Sequence, residues 1–283
     1  MTERAAEVLS AERVSRRFGD FTAVEAVDVS VSRGEVVALL GANGAGKTTL
    51  ITMLLGLLAP TSGTVRLFGA APSRAGRRRL GYVPQHLGLY PDLSVAENLA
   101  FRAAVFGVDP APAEADDSRS VGDLPLGRQR IAAFRAALQH APELLVLDEP
   151  TSGVSPLARS ELWDLVRGKA DDGAAVLVST HYMDEAVQAD RLVVMARGGV
   201  VADGPVESVI GDRTTVTVDA ADWSPAFVAL DRAGVGAVLA GRSIRVPGGD
   251  LERVRRAVHD AGVDATVALA PATLDETLVE LSR

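Results

Sequence analysis

Val36-Val37-Ala38-Leu39-Leu40 runs into Gly41-Ala42-Asn43-Gly44-Ala45-Gly46-Lys47-Thr48-Thr49 and then into Leu50 to Leu58. The apolar run reads as a strand and the glycine-rich stretch as a loop. Leu50, Met53, Leu54 and Leu57 recur at helical spacing behind it. Gly41, Gly44 and Gly46 free the backbone to turn its N–H groups inward, so that Ala42, Asn43 and Ala45 can present them to phosphate oxygens. A helix opening at the end of the loop adds the partial positive charge of its N-terminus. The stretch from Gly41 to Thr48 fits G-x4-G-K-[ST] in full. In that pattern Lys47 reaches the β- and γ-phosphates, the Thr48 hydroxyl ligates Mg²⁺, and Thr49 follows in the first helical turn. A strand, a phosphate loop and a helix in this order point to an α/β fold that binds a nucleoside triphosphate.

Composition narrows the setting. The 283 residues are 47% hydrophobic and 23% charged, which suits one large or two modest globular domains. With no cysteine, disulfides and thiolate metal sites are excluded. No apolar run reaches the roughly 18–20 residues of a membrane span, and residues 1–10 hold no signal-peptide core. The expectation is a protein that meets a membrane only through a partner. A net charge of −8 argues against generic nucleic-acid binding, and Arg77-Arg78-Arg79 reads as a solvated face.

Taken in order, residues 1–10 read as a polar lead-in. Residues 11–34 read as short antiparallel strands turning at Gly19-Asp20 and Arg33-Gly34. Phe18 offers a flat π-surface for an adenine, although a lone aromatic is more often a core residue. Strands follow at Thr64–Gly69 and Leu80–Gln85, the second broken by Pro84 so that Gln85 opens a loop. Ser94 and Glu97 form a capping box for a helix to about Val105. From Val108 to Asp123 there is no apolar periodicity, so this stretch, Asp116 included, reads as loop. A helix runs from about Arg128 to His140, and a second from Pro156 to about Lys169. The buried strands Leu144–Leu147 and Ala174–Thr180 deliver Asp148-Glu149 and His181 at their carboxyl ends. A hairpin turning at Gly198-Gly199 follows. Past Ile210 the pattern is β-α-β-α-β and a last helix, a small α/β appendage.

Asp148 and Glu149 lie at the sheet edge that faces a phosphate loop in a doubly wound fold. One carboxylate can hold Mg²⁺ and the other can take a proton from an attacking water. His181 ends the next strand of the same sheet, within reach of a γ-phosphate.

Phe18, the phosphate loop, Gln85 in Tyr82-Val83-Pro84-Gln85, Asp148-Glu149-Pro150-Thr151 and His181 together resemble the ATPase subunit of an ABC transporter. Thr151-Ser152-Gly153-Val154 and the ending Thr273–Leu278 resemble the branch that exports drugs, lipids or polysaccharides. The resemblance implies a P-loop ABC-ATPase core over residues 11–210, with an antiparallel β-subdomain and a helical subdomain at about 86–140. Residues 211–283 would then form a C-terminal α/β accessory domain. It implies ATP and Mg²⁺ as ligands, with Thr48, Gln85 and Asp148 at the metal. Glu149 would be the base, His181 the switch histidine, and Gln85 the sensor of metal and water. It also implies a second ABC ATPase chain, identical or not, and an integral membrane permease touched by the Gln85 loop. That places the protein at the cytoplasmic face of the membrane, with no nucleic-acid partner.

Three features depart from the family. The signature Leu-Ser-Gly-Gly-Gln is replaced by Leu124-Pro125-Leu126-Gly127-Arg128, which would face the partner chain's ATP without the serine hydroxyl. Ser155 stands where Asp is usual. The helical subdomain is short by roughly one helix at Val108–Asp123. These departures keep open an alternative, a weakly hydrolysing regulatory subunit acting by nucleotide-gated association.

Overall fold

The computed structural model describes residues 7–112, 114 and 117–281. It divides into two compact units, Met1–Asp203 and Gly204–Arg283; the sequence pattern puts the division after Ile210. The first unit opens with β1 (Glu7–Phe18), β2 (Phe21–Ser32), β3 (Val36–Leu40), α1 (Lys47–Leu54) and β4 (Ser62–Leu67). It continues with α2 (Arg74–Arg77), β5 (Leu80–Val83), α3 (Val95–Phe106) and α4 (Leu126–Leu138). Then come β6 (Leu144–Asp148), α5 (Pro156–Asp171), β7 (Ala175–Thr180), α6 (Met183–Ala186), β8 (Arg191–Ala196) and β9 (Gly199–Gly204).

β1 and β2 form a hairpin closed by Phe18 against Phe21, and β4 pairs antiparallel on the other edge of β1. The strands are longer than the sequence suggests, and Glu7–Ser10 belong to β1 instead of a lead-in. Adjacent Val8 and Leu9 spoil the alternation that marks a strand. A register shift between Glu7 and Leu9 lets both be buried. Residues 1–6 and Asp116 lie outside the described residues.

The six-stranded sheet has the order β5-β6-β7-β3-β8-β9. Its strands from β5 to β8 pair in parallel, and each of β3, β6 and β7 is buried along its whole length. Register aligns Leu40 with Thr180 and Asp148 with Ser179. The phosphate loop, Glu149 and His181 therefore leave adjacent strand ends on one edge. α1 packs into one core with β1, β2 and β3 through Leu50, Met53 and Leu54. It ends at Leu54, short of Leu58. Gly56 takes φ +66, Leu57 N–H donates to Thr52 O at 2.9 Å, and Gly56 N–H donates to Met53 O at 2.9 Å. This is a Schellman stop, and it leaves Leu57 exposed despite its helical spacing.

The capping box of α3 is present, with Ser94 and Glu97 bonded both ways. Gly107 closes that helix at φ +73. Among the described residues between α3 and α4, regular structure is limited to a 3₁₀ turn at Val121–Asp123. This polar stretch is nonetheless anchored. Arg135 on α4 donates to buried Asp117 at 2.6 and 2.9 Å and to Pro112 O at 2.9 Å. The Arg135 guanidinium holds the Asp117 carboxyl below its ordinary range. α4 begins at Leu126, two residues earlier than the apolar pattern indicates. The hairpin after β8 turns at Arg197-Gly198, both at positive φ, and Gly199 already belongs to β9.

The second unit contains α7 (Val206–Ile210), β10 (Thr214–Ala220), α8 (Trp223–Arg232), β11 (Val238–Ala240), β12 (Ser243–Pro247), α9 (Leu251–Asp260), β13 (Ala265–Pro271) and α10 (Leu274–Leu281). Its sheet has the order β11-β12-β10-β13, antiparallel throughout. The β-α-β-β-α-β order is that of a split βαβ unit. The sequence pattern omits β11, whose three residues are all exposed and carry no alternation. Its pairing with β12 across Gly241, at φ +66, is a tertiary fact.

Candidate functional site

The carboxyl edge of the parallel sheet opens into a cleft of about 380 Å³. It is lined by Phe21, Ala23, Asn43, Gly44, Gly46, Lys47, Thr48, Thr49, Gln85 and Glu149. Its floor is the loop between β3 and α1. Gly44 at φ +83 and Gly46 at φ +102 use the left-handed region that side chains avoid. Gly41 serves differently, because a Cβ there would stand 2.5 Å from Met195 O on β8. Ala45 is buried beneath the loop. Ala42 takes part through its backbone, its carbonyl accepting from Lys47 Nζ at 3.2 Å. Lys47 is buried, donates also to Gly41 O at 2.7 Å, and lies 3.5 Å from Glu149 Oε1.

Glu149 is the meeting point. Its Oε2 is 3.5 Å from Gln85 Nε2 and 3.5 Å from His181 Nδ1. The residue has φ +48, unusual for a side-chain-bearing residue, and its N–H donates to Ser179 Oγ at 3.0 Å. The backbone turn at β6 thus aims the carboxylate into the cleft and away from the sheet. Asp148, just before it, is 1% exposed. Ser179 Oγ donates to Asp148 Oδ1 at 2.5 Å, while Oδ2 is buried with no hydrogen-bond partner among the described residues. A buried anionic oxygen left unbonded is costly, and a cation bound there would satisfy it. Asp148 and Thr48 therefore fit a hard divalent ion such as Mg²⁺. Burial first, and then the Asp148 charge, push the Tyr82 phenol up to about 12, so it stays protonated beside the site.

These contacts bring together Lys47, Gln85, Asp148, Glu149 and His181. Phe18 is placed otherwise. It lies at the hairpin tip, half exposed under the Arg16 guanidinium at 4.5 Å, and it is Phe21 that lines the cleft.

A model of the ABC transporter family matches residues 24–152. The chain is 39% identical over 213 residues to "Probable multidrug ABC transporter ATP-binding protein YbhF" of Escherichia coli (strain K12); the match covers 70% of this chain and 37% of that protein. It therefore spans little more than a third of that relative's length. It is 35% identical over 301 aligned positions to the daunorubicin resistance ATP-binding protein DrrA3 of Streptomyces coeruleorubidus, covering 97% of this chain and 95% of that protein. A solved structure, that of the ATP-binding subunit of an ABC transporter, superposes with a TM-score of 0.66 at 29% identity. It covers 71% of this chain and 91% of its own. The chain belongs to the ABC transporter family.

In this ABC protein the Leu124–Arg128 segment is not among the residues that line the cleft. Leu124 is buried, Pro125 is the N-cap of α4 without a side-chain cap, and Leu126 is exposed. Gly127 lets α4 approach α5, since a Cβ would meet the Ala158 side chain at 2.9 Å. Pro125, Leu126, Gly127 and Arg128 line a second groove with Gly153, Val154, Ser155 and Leu157. Ser155 caps α5 by accepting from Ala158 N–H at 3.3 Å.

Sequence reasoning missed several supporting residues. Ser179 was legible only as a polar residue in an apolar strand. Arg130 is buried, donates to Gln85 O at 3.0 Å, and has Ser152 O at 3.5 Å. Burial lowers its affinity for the proton, which the nearby Glu149 charge partly offsets. Glu185, fully buried, had no sequence signal beyond its place four residues after His181.

Proposed function

We propose that this chain binds ATP with Mg²⁺ and hydrolyses it, and that hydrolysis powers export through a separate membrane permease. The convergence of Lys47, Gln85 and His181 on the Glu149 carboxylate, each within 3.5 Å, carries the reading. Thr48, Asp148 and Gln85 would hold Mg²⁺. When bound, the ion neutralises charge on the phosphate oxygens. Lys47 and the loop N–H groups of residues 42–49 orient the β- and γ-phosphates. Glu149 takes the proton from a water held by Gln85 as that water's oxygen bonds to the γ-phosphorus and the bond to the β,γ-bridging oxygen breaks, so that ADP leaves and inorganic phosphate forms. His181 donates a hydrogen bond to the γ-phosphate as charge develops there.

Two copies, or this chain and a related one, would place the Pro125–Arg128 groove of each against the other's bound ATP. Tyr90 and Phe101, packed edge to face at 5.4 Å, and Val105 form an exposed apolar patch beside the Gln85 loop. This patch suits a permease contact at the cytoplasmic face of the membrane. No helix among the described residues is long and apolar enough to cross the membrane itself. Relatives named for multidrug transport and daunorubicin resistance support an export role. The complete set of cleft side chains favours a hydrolysing subunit over a purely regulatory one.

Glu149→Gln tests the reading. It keeps the shape of the site but cannot take the proton, so turnover should fall by about 10²–10⁴-fold while ATP stays bound. Turnover at the parent rate would refute it.

A further inference from the structure

His181 and Glu149 follow the ends of two different strands, β7 and β6, and something must fix their separation. Ser179 bonds the Glu149 backbone from one side, and Glu185 is a second side chain that reaches both neighbourhoods. It lies on α6 at 0% exposure, and a carboxylate so buried is tolerated only where it is fully bonded. Thr180 Oγ1 donates to Glu185 Oε2 at 2.8 Å, and Thr151 Oγ1 donates to Oε1. Arg159 Nε on α5 lies 3.1 Å from the same Oε1.

The positions of these partners matter more than their number. Thr180 immediately precedes His181, so the Thr180–Glu185 bond closes a short loop around the histidine. Tyr182 N–H, on its other side, donates back to Thr180 Oγ1 at 3.0 Å. Thr151 is the second residue after Glu149, in the segment whose φ +48 turn aims the Glu149 carboxylate. One buried carboxylate therefore grips both the segment that carries His181 and the segment that carries Glu149. Both threonines are themselves about 1% exposed, so water does not compete for these bonds.

We propose that Glu185 is a positioning residue which, through Thr180 and Thr151, holds the His181 imidazole against the Glu149 carboxylate. It is not among the residues that line the cleft, and it acts by setting the spacing of the His181–Glu149 pair. The inference rests on the roles given to Glu149 and His181 above.

The test uses the full chain with Glu185→Gln and Thr151→Val, alone and combined with His181→Ala. Each single change should lower kcat by about ten-fold or more, as a sub-ångström loosening of a reacting pair does. KM for ATP should stay within about two-fold, because the phosphate loop is untouched. In the His181→Ala background neither change should cost more than about two-fold further, since its route to the reaction is already gone. A readout independent of turnover is the ring signal of His181, one of the four histidines of the chain, assigned by substitution. It should shift or broaden in both variants while the His140 signal stays in place. Thr151→Val keeps the result decisive if Glu185→Gln fails to fold. Full multiplicative loss on top of His181→Ala, or unchanged kcat with a normal His181 signal, overturns the inference. Glu149→Gln is run alongside: loss of its turnover with intact Glu185 variants defeats the positioning role alone, while retained turnover defeats the underlying reading.

Discussion

The phosphate-loop cleft and the signature groove are both built at the start of a helix, α1 in one case and α4 in the other. Unbonded N–H groups point out of both helix ends, and glycine shapes both, for loop conformation at Gly44 and Gly46 and for helix contact at Gly127. Their rims differ. Around α1 stand Lys47, Thr48, Gln85 and Glu149, with buried Asp148 just before Glu149 in the chain. Around α4 stand Pro125, Leu126, Val154 and Leu157, with Leu157 71% exposed. A helix N-terminus supplies direction and partial charge in both places. In the first an ammonium, an amide and an imidazole converge within 3.5 Å of one carboxylate, whereas the second has Arg128, Ser155 and Glu161 around an apolar rim. On the function proposed above, the cleft would serve this chain's own nucleotide and the groove, without the serine hydroxyl, a partner's.

The largest effect that would break this contrast is at Lys47. Removing the ammonium by Lys47→Ala takes away a charge-assisted contact worth about 1.5–3 kcal/mol, so ATP affinity should fall by about ten- to a hundred-fold. Calorimetry giving the parent affinity would mean that the cleft is no better equipped than the groove.

A smaller effect is expected from repairing the groove. Pro125→Ser with Ser155→Asp restores a hydroxyl and a carboxylate. It should keep both helix starts, because Ser and Asp are good N-caps. In a Glu149→Gln background with ATP, dimerisation measured by sedimentation should tighten by about three- to ten-fold, the worth of a hydrogen bond or two. Equal dimerisation with and without the repair would place the limit elsewhere, most directly in the short helical subdomain.

The smallest effect sharpens the edge of the cleft. Phe18 and Phe21 face each other across the hairpin, and only Phe21 lines the cleft. If an adenine stacks there, Phe21→Ala should weaken ATP binding by about two- to ten-fold, and Phe18→Ala by less. The reverse order would return the stacking role to Phe18.

Much of the site was legible because its residues are local. Gly41 to Thr49 are contiguous, and Asp148-Glu149 and His181 are marked by the apolar strands before them. Gln85 is marked by Pro84. Even Ser94 and Glu97 announce their helix, since a capping box closes within four residues. What was not legible depends on bonds between distant segments. Leu57 keeps helical spacing yet is exposed, because Gly56 stops α1 first. Val8 and Leu9 form part of a strand only because a bulge buries both. The stretch after Gly107 carries no periodicity, but Arg135 anchors it through Asp117, 18 residues away in sequence.

The sequence by itself determined that there is a strand, a phosphate loop and a helix, and that two carboxylates and a histidine end neighbouring apolar strands. It could do so because phosphate binding needs backbone N–H groups in a row, and a parallel strand buried on both faces must be continuously apolar. Only the tertiary structure decided that Phe21 lines the cleft in place of Phe18 and that Ser179 bonds Asp148. Only it showed Arg130 and Glu185 gripping the segments around Glu149. Those choices follow from sheet register and from the need of each buried charge for a partner, wherever in the chain that partner lies.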